Sequence, residues 1–309
     1  MKNKTNFMTK TWVIVVGAMI CCTLWGSAFP CIKIGYRMLE IAAADTASQI
    51  LYAGYRFTLA GVLTIVLGSI LQRKILLPKR SAIGKIGLLS LLQTVLQYLF
   101  FYIGLAHTTG VKASIIEAVS TFVAILVAGY LFHQETVTSR KMLGCLIGFA
   151  GVVLVNVAGS GMDFHFSPAG DGCILLSTVA YAFSSVCMKR FSQKEDPVML
   201  SGYQFILGGI VMIACGAAMG GHLKAFTVSA AALLIYMAMI SAVAYSLWGM
   251  LLKYNPVSKV TVFGFMNPVI GVILSALLLN ETEALGVSSV LALGLVCVGI
   301  YIVNAKDKD

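Results

Sequence analysis

The sequence predicts an all-α membrane protein: ten transmembrane helices forming two inverted five-helix repeats around a central cavity. Composition, the spacing of the apolar runs and an internal repeat predict it. Hydrophobic residues make up 59% of the chain and charged residues 11%, where soluble domains carry about 45–50% and about 25%. Such a chain buries its apolar surface in lipid, at about 20 residues per crossing.

Taken in order, apolar runs of spanning length fall at about 11–35, 49–71, 82–104, 110–132 and 139–158, then at about 169–190, 198–219, 227–251, 257–279 and 285–304. Short segments with turn and charge signals separate them, such as "QRKILLPKR", "HQETVTSRK" and "KRFSQKEDP". Basic residues set the orientation. With the N-terminus in the cytoplasm, 17 Lys and Arg from Lys2 to Lys308 fall inside, against Lys33, Arg37, Lys112 and Lys224 outside; Arg56 lies within a span. The expected location is the cytoplasmic membrane, multi-pass, with both termini inside.

The remaining signals mostly exclude. A net charge of +10 does not indicate nucleic acid as a partner, because the basic residues sit in short loops without aromatic interleaving. The eight cysteines lie in or beside apolar runs and read as small hydrophobic packing groups. "TWVIVVGAMICCTLWGSAFP" is too long for a signal-peptide core and reads as a retained first helix. His107, His133, His165 and His222 are scattered over loops, so no metal site is expected.

The two halves resemble each other. "GYRFTLAG" (54–61) matches "GYQFILGG" (202–209), and "LWGSAFPCIK" (24–33) lies over "AYAFSSVCMK" (180–189). Residues 111–135 lie over 257–281 without a gap, so Glu135 meets Glu281; "GVVLVN" and "GIYIVN" close the halves. The repeats cover 11–158 and 168–305. Five spans is an odd number, so the second repeat enters from the opposite face. Inverted repeats of this kind build secondary transporters, with substrate bound near the midplane between the halves.

Ten helices in two repeats, the "WGSAFPCIK" end of the first helix and a Glu closing the fourth helix of each half resemble the EamA type of the drug/metabolite transporter superfamily. The resemblance implies a basket of helices around a cavity that moves a small metabolite. It implies export of an amino acid or related carboxylate-bearing compound or, as the alternative, uptake of a vitamin, cofactor or sugar. The family's proline in the fourth helix is Pro268 in the second half, but Phe122 stands at its place in the first. The halves are therefore expected to bend differently.

Ionisable groups inside spans mark function, because a charge at the bilayer centre costs about 2.5–3.5 kcal/mol on insertion scales. Glu117 and Arg56 are such groups, and Lys33 and Lys112 lie near the same end of the first half; at the repeat-related positions stand Phe263 and Gln204. Glu117 either pairs with Arg56 or Lys33 as a structural ion pair, or the cluster binds substrate or protons. Trp25, Gln93, Gln97, Tyr98, Tyr102, Tyr181, Tyr203, Gln204, Tyr245, Trp248 and Asn267 are the expected remaining lining. For the amides, helix–helix bonding is the competing role; for the aromatic residues it is an interfacial belt, the reading taken for Trp12 and Tyr301. Glu135 and Glu281 read as capping or loop–helix contacts.

The expected partners are thus a small-molecule substrate, the lipid bilayer and either a coupling proton or an exchanged metabolite, for a monomer or a homodimer. There is no ATP-binding motif, and no cofactor is expected. A membrane enzyme of the prenyl- or acyl-transferase type would need clustered carboxylates or a His–Asp pair at the membrane face. Asp163 and His165 around Phe164 do not amount to that, so an enzyme is not expected.

Overall fold

The computed structural model describes residues 7–157, 166–224, 227–279 and 287–305. Among them are ten helices long and apolar enough to cross a membrane: α1 (Thr11–Met38), α2 (Thr46–Gln72), α3 (Arg80–Leu105), α4 (Lys112–Leu131), α5 (Ser139–Val157), α6 (Pro168–Ser192), α7 (Pro197–Ala218), α8 (Val228–Tyr254), α9 (Val257–Leu274) and α10 (Val287–Asn304). No strand occurs among the described residues. Large apolar side chains face outward along the spans, including Ile70, Leu71, Leu277 and Val290. In water that surface would be untenable, whereas in lipid it is the solvent-matched face.

Local chemistry sets the helix starts. Asp45 caps α2 by accepting the Ser48 N–H at 3.0 Å, a bond that holds its carboxyl below the ordinary carboxylate value. Asp196 accepts from Val198 N and Met199 N at the head of α7, with Pro197 in the first turn. Thr227 does the same for α8 through Ala230 N.

The packing is pseudo-two-fold. α2 pairs with α7 and α5 with α10, each helix against its own repeat partner. α1 lies against α8 and α9, and its counterpart α6 lies against α3 and α4, the counterparts of α8 and α9. Glycine makes the closest approaches possible. A Cβ at Gly61 would sit 2.5 Å from Gly202 O, and one at Gly209 would sit 2.9 Å from Gly54 O. Gly61 and Gly209 are repeat partners, as are Gly54 and Gly202, so the contact is self-complementary. The α5–α10 seam follows the same rule, with Gly144 against Gly299 O and Gly151 against Ala292 O. Small residues let helices meet where lipid offers no hydrophobic drive.

Both fourth helices depart from regular geometry at the same register, although only the second carries the proline. α4 breaks at Val119. α9 passes through a 3-10 stretch, Val262–Phe265, just before Pro268. In α9 the proline ring crowds the carbonyl four residues back. In α4 Ile116 O accepts from Val119 N at 3.0 Å in a tightened turn, and Thr178 Oγ1 lies 3.4 Å from the same oxygen. Thr121 of α4 in turn donates to Thr261 O of α9 at 3.1 Å, and Cys22 Sγ to Phe263 O at 3.2 Å. The break is thus supported by neighbouring hydroxyl and thiol groups and does not require proline. Five cysteines, Cys21, Cys22, Cys31, Cys145 and Cys187, are buried as small packing groups, and Cys297 is exposed on α10.

The N-terminal face is tied together across the halves. Glu135, after α4, accepts from Ser258 N (2.9 Å) and Ser258 Oγ (2.5 Å) at the head of α9, and from Lys141 Nζ (2.9 Å). This matches the loop–helix role expected of it; Glu281 lies outside the described residues. Asn255 Nδ2 reaches Met8 O at 3.1 Å, and Lys85 pairs with Glu195 at 2.6 Å. Above these ties Met8, Ile14, Leu251, Val257 and Val260 are buried together.

Candidate functional site

Between the halves lies a cavity of about 160 Å³. At roughly 30 Å³ per water in the liquid, it has room for about five waters or a small solute. Its wall takes in Tyr102 and Ser114, near the ends of α3 and α4 away from the N-terminal face, and extends past mid-membrane to Trp248 and Thr261.

Arg56 reaches it because α2 has two opposed faces. Gly54 packs on α7, and Arg56, two residues or about 200° further round, points the other way. The residue is 5% exposed, and its guanidinium sits among aromatic rings. Cζ lies 4.3 Å from the Phe57 centroid and 5.7 Å from that of Tyr98. Phe57 stacks on Phe205 (5.3 Å, 5°), and Tyr98 donates to or accepts from Tyr245 across the halves at 3.0 Å. Cation–π contacts contribute about 0.5–2 kcal/mol each, which offsets part of the cost of burying this charge.

Among the described residues neither Arg56 nor Glu117 belongs to an ion pair. The structural pairing that would make Glu117 a mere partner of Arg56 or Lys33 is not formed. Glu117 projects into the cavity two residues before the Val119 break. Several buried polar atoms around it also lack a protein partner: Arg56 Nε, Trp25 Nε1 and Trp248 Nε1 as donors, Gln97 Oε1 and Asn267 Oδ1 as acceptors. Buried polar groups are almost always hydrogen-bonded, so these donors and acceptors are available to whatever fills the cavity, water or solute.

Of the residues expected at the site, Trp25, Arg56, Gln97, Tyr98, Tyr102, Glu117, Tyr181, Tyr245, Trp248 and Asn267 line this cavity. Five do not. Lys33 is exposed at the end of α1, where its long stem carries the ammonium toward the headgroups. Gln93 and Gln204 are buried between helices, Gln204 accepting from Thr94 Oγ1 at 2.6 Å. Tyr203 packs on the apolar core toward the N-terminal face. Lys112 pairs with Asp171 at 3.8 Å, beside a Thr108–Asp171 hydrogen bond. The hydroxyls of Ser114, Thr121, Ser177, Thr178, Ser185 and Ser241 also line the cavity, and sequence reading passed over them. Their signal was there: Ser177, Tyr181 and Ser185 recur at i, i+4, i+8 on one helical face.

The sequence model of the EamA-like transporter family matches residues 12–157 and again 168–305. The chain belongs to this family of membrane transporters. An uncharacterized transporter of Archaeoglobus fulgidus is 28% identical over 96% of this chain and 99% of its own. The uncharacterized inner membrane transporter YedA of Escherichia coli K12 is 28% identical over 92% and 90%. A WAT1-related chloroplastic protein of Arabidopsis thaliana is 26% identical over 96% of this chain and 70% of its own. A solved crystal structure superposes with a TM-score of 0.77, covering 94% of this chain and 96% of the other at 16% identity; at that identity it speaks for the fold alone.

Proposed function

We propose that the protein is a secondary transporter that exports a small amphoteric metabolite, an amino acid or a close relative, by alternating access across the cytoplasmic membrane. One observation carries this reading: a buried guanidinium and a carboxylate, neither in an ion pair, line one small cavity. A buried charge without a partner is costly. A ligand that brings a carboxylate to Arg56 and an ammonium to Glu117 satisfies both. The tyrosine rings and hydroxyls supply apolar contact and orientation, as small-molecule sites require.

The excess of Lys and Arg on the N-terminal face supports placing that face in the cytoplasm. The test is flux of a radiolabelled amino-acid panel by purified protein in liposomes, with and without a proton gradient. Saturable flux restricted to compounds with both a free carboxylate and a free ammonium is the expected result. Equal flux of sugars or of decarboxylated amines would overturn the reading.

A further inference from the structure

A second group of polar residues lies off the cavity, toward the N-terminal face. Ser90, Gln93 and Thr94 of α3 and Gln204 of α7 are 1%, 2%, 0% and 0% exposed. Thr94 bonds Gln204, but Ser90 Oγ, Gln93 Oε1 and Gln204 Nε2 have no partner in the protein. Gln97, one turn along α3, lines the cavity and has an unpartnered Oε1 of its own. The row therefore leads from the cavity toward the packed end. It coincides with a π-helical stretch, Ser90–Leu96, a geometry that recurs at functional positions in helices. α7 makes room for it at Gly208, where a Cβ would sit 2.5 Å from Thr94 Cβ and 3.0 Å from Ser90 Oγ.

The pseudo-two-fold gives this row a meaning. At the 148-residue offset that relates Gly54 to Gly202, Gln204 corresponds to Arg56, Gln93 to Ser241 and Gln97 to Tyr245. The offset holds for α3 and α8 in burial: Ala82 and Ala230, Leu89 and Met237, and Thr94 and Ala242 are buried alike. Arg56, Ser241 and Tyr245 all line the present cavity. If the halves exchange conformations, as inverted repeats do, Gln93 and Gln204 take the wall positions of a cavity open to the N-terminal face. Groups that lack partners while packed would then meet water or substrate.

We propose that Gln93 and Gln204 line the pathway between the central cavity and the N-terminal face, a neutral amide passage for a dipolar solute, with Thr94 holding the Gln204 amide in place. The inference rests on alternating access, not on the identity of the substrate. It is tested with a membrane-impermeant cationic methanethiosulfonate applied to the N-terminal face of vesicles holding Gln93→Cys or Gln204→Cys, read by intact mass. Modification at least ~10-fold faster than for the unmodified protein, and than for Thr64→Cys at similar burial on α2, is the expected result. On the unmodified chain, amides 90–96 should exchange with deuterium at least ~10-fold faster than amides 60–66. Background rates at the introduced cysteines that fold, together with equal protection of the two segments, would overturn the proposal. An amino-acid panel without flux would sink the substrate reading and leave these results standing.

Discussion

Arg56 and Gln204 hold equivalent places in the two halves, two residues after the glycines that join α2 to α7. Arg56 faces the cavity among tyrosine rings without a carboxylate, whereas Gln204 is sealed between α7 and α3 and bonded to Thr94. The fourth helices differ in the same way: Glu117 lines the cavity, and its counterpart Phe263 is a fully buried core residue. The glycine contacts, the helix pairing and even the break in the fourth helix keep the two-fold; the charges do not. Symmetry here serves the scaffold and its two conformations, and asymmetry serves recognition.

The comparison breaks most directly at Arg56. Arg56→Ala should weaken binding of an amino-acid substrate by at least ~30-fold, since removing one member of a buried, hydrogen-bonded charge pair costs about 2–5 kcal/mol. Gln204→Ala should leave binding within a few-fold and affect the rate of cycling instead. Substrate-induced thermal stabilisation for binding, and liposome flux for rate, separate the two effects. Equal losses of binding would mean that both residues act through packing.

Next in size is Glu117→Gln, which keeps shape and removes charge. A charge-assisted hydrogen bond contributes about 1.5–3 kcal/mol, so binding should weaken about 10–100-fold with an unchanged melting temperature. The loss should vanish for an N-acetylated amino acid, which has no ammonium to lose. A fall in melting temperature that Arg56→Gln restores would instead reveal an ion pair formed in another conformation.

How much of this was legible in the sequence follows from what each signal depends on. The spans were legible because hydropathy and helix length are set by the bilayer and not by neighbouring helices. Arg56 and Glu117 were legible because a charge in an apolar run has few bland explanations. Lys33 was misplaced because a charge near a helix end can snorkel, and sequence gives depth only to within a turn. Gln93 and Gln97 look equivalent at i, i+4, yet one turn of depth separates a cavity wall from a sealed seam. The serine and threonine hydroxyls were overlooked because in a lipid-embedded helix such residues also bond their own backbone, as Thr64 does to Ala60 O at 2.7 Å.

A smaller effect is expected at Glu135, which ties the first half to the second at the N-terminal face. Glu135→Gln removes the charge that Lys141 and Ser258 meet, but Lys141 keeps Thr136 O at 2.7 Å. Lys141 is itself buried but keeps that carbonyl and the new amide oxygen as acceptors, so a shift of about 1 kcal/mol, roughly five-fold, toward opening at that face is expected. Thiol modification of Gln93→Cys in the Glu135→Gln background reads it directly. An unchanged rate would mean the apolar layer of Met8, Leu251 and Val257 closes that face without help.

The smallest effect sharpens the comparison at the cavity itself. Tyr98 places its ring beside the Arg56 guanidinium and its hydroxyl 3.0 Å from that of Tyr245, so one residue connects the charged half to the neutral one. Tyr98→Phe keeps the ring and removes the bond. A neutral hydrogen bond contributes about 0.5–1.5 kcal/mol, so binding should weaken about two- to ten-fold. Tyr98→Leu removes the ring as well and should lose a further increment of about 0.5–2 kcal/mol from the cation–π contact. If both variants bind alike, the ring does not hold Arg56, and Phe57, at 4.3 Å, does so alone. If Tyr98→Phe already matches Tyr98→Leu while Tyr245→Phe is silent, the Tyr98 hydroxyl acts on the substrate and not on its partner. That outcome would move Tyr98 from positioning Arg56 to recognising the ligand, and would make the first half responsible for binding through three residues instead of two.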